Sequence, residues 1–222
     1  NVAMYLNTDG YQNAALGDSA LASNTNGYRN TASGYASLFS NTTGSRNVAI
    51  GDSALYSNID GNLNSAMGAD ALFNNTTGTG NTATGDSSLL SNTTGNYNTA
   101  TGGGSLNSNT DGEYNTATGT VSLLRNTTGS YNTASGSYSM YSNTTGVSNT
   151  AVGETALYKN TIGKLNTAVG STSMYGNISG KWNNGVGGKS LYSITTGNGN
   201  SAQGFATLYN TTTGSNNMAI GN

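Results

Sequence analysis

Apolar residues recur along this chain with a fixed spacing. Leucine stands at every seventeenth residue from Leu21 to Leu208, with Met140 and Met174 as its only replacements. A column of alanine keeps the same spacing from Ala15 to Ala219, broken once by Gly185. Between these columns the chain is Asn, Thr, Ser and Gly. Asparagine marks the period at 13, 30, 47 and onward to 217, thirteen copies without an insertion or deletion. Counting that Asn as position 1, Ala is at 3, Gly at 5, Leu at 9 and Gly again at 15. The consensus is N-T-A-x-G-x-x-S/A-L-Y-S-N-T-T-G-x-x. Internal repetition at a strict period signals a stacked-repeat architecture.

The unit is too short for two helices, and its glycines disfavour helix. One coil of a parallel β-solenoid fits, which makes the fold class all-β. The pattern predicts a strand over positions 2–4, a glycine turn at 5–7, a second strand over 8–11 and a closing "NTTG" turn. The glycine of that last turn is expected to supply a positive φ. Coils stacked about 4.8 Å apart predict a rod on the order of 60 Å long. The inward columns are Leu at position 9 and Ala at position 3, as in Ala100, Leu106, Ala117, Leu123, Ala151 and Leu157. Asparagines at positions 1 and 12 are read as amide ladders running up the stack. The second ladder breaks at Ile194 and Thr211. Residues 13–222 hold the repeats, the last one partial. Residues 1–12 read as an irregular, shortened first coil that lacks five residues. The sequence begins and stops inside the repeat with no capping coil, so the expectation is a segment of a longer fibre or units that stack end to end.

Positions 2 and 4 share the face opposite position 3. Position 4 carries Ile50, Met67, Val152, Val169, Val186 and Ile220. That outer face would gain from being covered, and side-by-side oligomerisation is the natural cover.

Composition narrows the function classes. Only 33% of the 222 residues are apolar and 7% are charged, with 33 Gly, no Pro, no Cys and no His. The formal charge is −2. Seven scattered basic residues make no stripe for nucleic acid. No apolar run is long enough to span a membrane, so no membrane insertion by this segment is expected. The first ten residues carry no basic-then-apolar secretory leader. Without Cys there is no disulfide framework.

At this point the motifs resemble a known family. "NVAIG" (47–51), "NTAVG" (149–153 and 166–170) and "NMAIG" (217–221) are similar to the repeat core of YadA-like head domains of trimeric autotransporter adhesins. The likeness covers residues 13–222. It implies left-handed parallel β-rolls, three chains side by side, an extracellular or cell-surface location, and a host-surface protein or carbohydrate as partner. The longer array also resembles phage tail-fibre-like repeat proteins, which implies a virion fibre instead. The family's usual head repeat is shorter, so the "NTTG" turn is enlarged here.

Candidate chemistry is sparse. Without His or Cys, imidazole acid–base and thiol chemistry are excluded, and no enzyme, catalytic residue or cofactor is expected. Asp18, Asp52 and Asp86 share position 6 but on alternate coils, too far apart for a carboxylate pair. The Asp-in-every-repeat pattern of calcium-binding solenoids is absent, so no metal is expected. Position 10 is an aromatic column: Phe39, Tyr56 and Phe73, then Tyr141, Tyr158, Tyr175, Tyr192 and Tyr209. It reads either as stacked rings that hold the coils together or as a surface for carbohydrate or a neighbouring chain. Thr82, Thr84, Thr99, Thr101, Thr116 and Thr118 form adjacent TxT pairs, a grid similar to the ice-binding face of β-solenoid antifreeze proteins. The plainer reading is threonine as a good strand residue on a half-exposed face. Sequons at Asn41, Asn92, Asn126 and Asn143 read as turn residues rather than glycan acceptors. The leading expectation is therefore a structural repeat of a fibrous surface protein. Ice binding and an end-to-end filament are the alternatives.

Overall fold

The computed structural model describes residues 2–221, leaving Asn1 and Asn222 aside. The chain is an all-β parallel β-solenoid with one coil per 17 residues. It forms two compact units, one ending at Glu113 and the other starting at Tyr114. In the first unit β1 (Ala14–Leu16), β2 (Thr31–Ser33), β3 (Val48–Ile50), β4 (Ser65–Met67), β5 (Thr82–Thr84) and β6 (Thr99–Thr101) pair in chain order. In the second unit the strands are β7 (Thr116–Thr118), β8 (Thr133–Ser135), β9 (Thr150–Val152), β10 (Thr167–Val169), β11 (Asn184–Val186), β12 (Ser201–Gln203) and β13 (Met218–Ile220). They too pair in order, each residue opposite the one 17 later.

Each strand is only three residues long because position 5 ends it. Gly17, Gly34 and their equivalents sit at φ between +122° and +144°. A Cβ there would also run into the position-5 carbonyl of the next coil, so both conformation and space demand glycine. The second strand expected over positions 8–11 does not form. That stretch is a turn run in which positions 7 and 9 take left-handed φ, such as Ser53 at 54° and Leu55 at 53°. The alternating hand bends the chain tightly around one leucine. It still bonds coil to coil: Leu55 N–H donates to Ala71 O at 2.9 Å and Ser57 N–H to Phe73 O at 2.9 Å. A left-handed φ costs an L-residue roughly 1–2 kcal/mol, so burial of the leucine and these bonds must outweigh it.

The position-15 glycines also differ from expectation. None of those described has φ in the left-handed region. Glycine is needed there for closeness: at Gly129 a Cβ would meet Asn126 Oδ1, Gly146 O at 2.5 Å and Asn143 Nδ2 at 2.8 Å.

The core is a narrow seam. Leu106 and Ala100 in the first unit, and Leu123, Ala117, Leu157 and Ala151 in the second, are fully buried. Buried asparagines line much of the rest of the interior. Asn92 Nδ2 donates to Asn75 Oδ1 at 2.8 Å and to Gly95 O at 3.0 Å, and Asn58 repeats the pattern on Asn41 and Gly61. At position 1 the ladder is mixed. Asn64 Oδ1 takes the backbone N–H of Asn81 at 2.9 Å, and Asn64 Nδ2 donates to Gly78 O at 2.8 Å. Serines at position 8 are satisfied locally, as in Ser88 Oγ to Gly85 O at 2.9 Å. The one glycine in the alanine column, Gly185, makes room for a buried pair, Ser173 Oγ and Ser190 Oγ at 2.8 Å.

Where Ile194 interrupts the position-12 ladder, Asn177 Oδ1 is buried with no hydrogen-bond partner. The missing amide is the one Ile194 replaces.

Residues 2–12 are not a shortened coil. They occupy positions 7–17 in full register. Met4 N–H donates to Ala20 O at 3.0 Å, the bond that Leu21 makes to Ser37 O at 2.9 Å. Asn24 Nδ2 reaches Asn7 Oδ1 at 2.7 Å, so Asn7 is a position-12 ladder residue and Met4 takes the leucine slot. "NVAM" imitates the strand motif Asn-x-Ala-x, but its methionine and the later Asn7 fix a different frame.

Candidate interaction faces

The residues fixed by the period are spent inside, so surface chemistry is left to the variable positions. Position 13 illustrates this. Thr42 O accepts the N–H groups of Thr25, Asn26 and Gly27 at 3.0, 3.1 and 3.2 Å, and Thr25 Oγ1 at 3.0 Å. The "NTT" turn is thus a coil-to-coil clamp. Asn41, Asn92, Asn126 and Asn143 are fully buried in it, with their amide nitrogens engaged. They offer nothing to a ligand.

The outer strand face carries the expected apolar column. Leu16 is 74% exposed, Ile50 44% and Met67 41% in the first unit. Val152, Val186 and Ile220 are exposed in the second. Thr82 lies opposite Thr99 and Thr84 opposite Thr101. Thr82 and Thr84 are half-buried, whereas Thr99 and Thr101 are exposed. In the second unit Thr116 and Thr118 are exposed, opposite Thr133 and Ser135.

The tyrosine column is a continuous stack. Tyr141, Tyr158, Tyr175, Tyr192 and Tyr209 have ring centroids 4.9–5.3 Å apart and planes within 8° of parallel. Arg125 lies over Tyr141 at 5.0 Å, and Lys159 over Tyr175 at 5.3 Å. A sugar docks on an open ring face. These faces cover each other, which favours the stabilising role. Phe39, Tyr56 and Phe73 stack the same way at 5.0–5.1 Å.

Among the described residues no group of three or more carboxylates is placed to hold a metal ion. No helix is long and apolar enough to cross a membrane. A surface groove of about 380 Å³ lies at the first coil between Val2, Tyr5, Leu6 and Phe39. Its polar groups are the hydroxyls of Tyr5, Ser19 and Ser23, and it gathers no charged side chain.

Charge is the feature that whole-chain composition conceals. Residues 1–113 hold eight carboxylates against Arg29 and Arg46, a formal −6. Residues 114–222 hold five cations against Glu154, a formal +4. The whole-chain −2 averages this away, and a count by halves of the sequence would have found it. Within the acidic unit, Asp70 is pushed above the ordinary aspartate value by its own burial, then by the carboxylates of Asp52 and Asp86 on the flanking coils.

Comparisons with family models, curated proteins and solved structures return no match to this chain.

Proposed function

We propose that this chain is a non-enzymatic structural repeat of a fibrous surface protein, an adhesin or tail-fibre-like element, that presents a repetitive face. One observation carries the reading. The column of large apolar residues at position 4 stands outside the coil, exposed in Leu16, Ile50, Met67, Val152 and Val186. Apolar columns at this density mark a surface that meets another surface. Association of copies through this face turns near-identical coils into a stiff display scaffold, and a location outside the cell suits such a role. The test is the solution mass of the chain by light scattering, against Ile50→Glu and Val152→Glu. The reading expects multiple chains for the parent and a lower mass for each variant. A single-chain mass for the parent at every concentration overturns it.

Ice binding is the second reading, favoured by the exposed TxT pair Thr99 and Thr101 in register with Thr82 and Thr84. Among the described residues these four hydroxyls take no protein hydrogen bond. Thermal hysteresis that vanishes in Thr99→Val/Thr101→Val would establish it. Its absence in the parent chain rules it out.

A further inference from the structure

We propose that copies of this chain bind each other with the acidic unit of one against the basic unit of another. The inference rests on copies associating through exposed apolar surface, at position 4 in the first unit and at position 17 in the second, and adds its polarity. The two units carry formal charges of opposite sign, −6 and +4, although the whole chain sums to −2. Several of them stand without a counter-charge in their own unit. Among the described residues Asp52, Asp60, Asp70 and Asp86 form no ion pair in the first unit, nor do Lys159, Lys164, Lys181 and Lys189 in the second.

Each charge set borders exposed apolar surface. In the first unit Ile50 and Met67 are followed on their own coils by Asp52 and Asp70. In the second unit Leu165 and Trp182, 52% and 62% exposed, each follow an exposed lysine, Lys164 and Lys181. Those two lysines are paired on neighbouring coils by a parallel bridge. Both units thus present apolar side chains with charge beside them, of opposite sign. Pressing like units together would set −6 against −6 and +4 against +4. Pressing unlike units together cancels all but −2 of the charge. Apolar contact supplies the affinity, and the charges select the partner and speed the encounter. This polarity argues against the in-register bundle of three chains that the family resemblance implies.

The test is sedimentation velocity of the full chain at about 20 mM and about 500 mM NaCl, where charges act over about 20 and 4 Å respectively. Association should weaken at least about tenfold at the higher salt. Two variants sharpen it. Asp52→Lys/Asp60→Lys/Asp86→Lys neutralises the acidic unit, and Lys159→Glu/Lys164→Glu/Lys181→Glu turns the basic unit negative. All six side chains are exposed, and circular dichroism checks that both variants fold. Each alone should lose association, and an equimolar mixture should regain it, because the acidic unit of the second then meets the basic unit of the first. A mixture that stays monomeric overturns the inference. Association that ignores salt also overturns it while leaving the outer-face reading intact. A monomeric parent at low salt and every concentration removes both.

Discussion

Replacing Asn92 with Asp tests whether the buried amide ladder holds the coils together. The substitution keeps shape and changes only hydrogen bonding and charge. Asn92 donates to Asn75 Oδ1 and Gly95 O, and its own Oδ1 accepts Asn109 Nδ2 at 2.8 Å. An ionised carboxylate can keep only the last of these. A protonated one regains one donor and leaves one buried acceptor unpaired, which costs about 1–3 kcal/mol. The site is fully buried, so the variant holds its proton and its pKa rises well above about 3.9 in the folded state. Holding the proton at pH 7 costs up to about 4 kcal/mol, from roughly three units at 1.36 kcal/mol each. The folded state then binds more protons than the unfolded one above pH about 4, so stability falls as pH rises. Asn92→Asp should therefore be destabilised by about 1–3 kcal/mol at pH 3 and about 5 kcal/mol at pH 7. Urea unfolding at both values measures the difference, with Asn74→Asp, at the half-exposed neighbouring position, as control. An Asn92→Asp loss that is equal at the two pH values, or no larger than in the control, refutes the ladder's role.

Other substitutions probe the remaining columns. Gly129→Ala should cost at least about 3 kcal/mol in chemical denaturation, because its Cβ would meet a backbone carbonyl and two ladder side chains. Val121→Asn should raise stability by about 1 kcal/mol, since a β-branched residue sits there at φ 50° and Asn tolerates that conformation. Asp70→Asn should stabilise the fold at pH 7 by a few tenths of a kcal/mol, roughly, after solvent screening. Its raised pKa means the aspartate's penalty appears as pH rises through the folded value and vanishes below about 3.9, so melting curves of the two proteins should converge in acid.

The sequence made the period, the strand at positions 2–4 and the inward leucine legible because each follows from repetition and alternation alone. Even the ladder break at Ile194 was visible, and the structure adds its consequence, the orphaned oxygen of Asn177. The second side of the coil was not legible. Serine, leucine, tyrosine and serine in succession read as strand residues, and no local rule places leucine or threonine at φ above +45°. Burial of Leu55 and its equivalents and the bonds to neighbouring coils impose that hand, and both are tertiary. The frame of residues 2–12 failed for a related reason. Four residues imitated the strand motif, while the assignment depended on partners 16 and 17 residues away. The polarity of charge was present in the sequence but needed a boundary, and the boundary near Glu113 has no insertion or proline to announce it.

The division of labour within the coil explains why function is hard to read here. Positions 1, 3, 5, 9, 12 and 15 are fixed by stacking: two amide ladders, two glycine close approaches and a seam two residues wide. Almost any chain of such coils would stack, whatever it does. Information about partners must lie at positions that stacking leaves free, chiefly 4, 6, 7, 11, 14, 16 and 17. There the chain is not uniform. Carboxylates collect at 6, 7 and 14 in the first unit, and lysines at 11 and 16 in the second. A scaffold selected only for stiffness would leave those positions random in sign. Their segregation by unit is the feature on which the proposed pairing with a second copy of the chain rests.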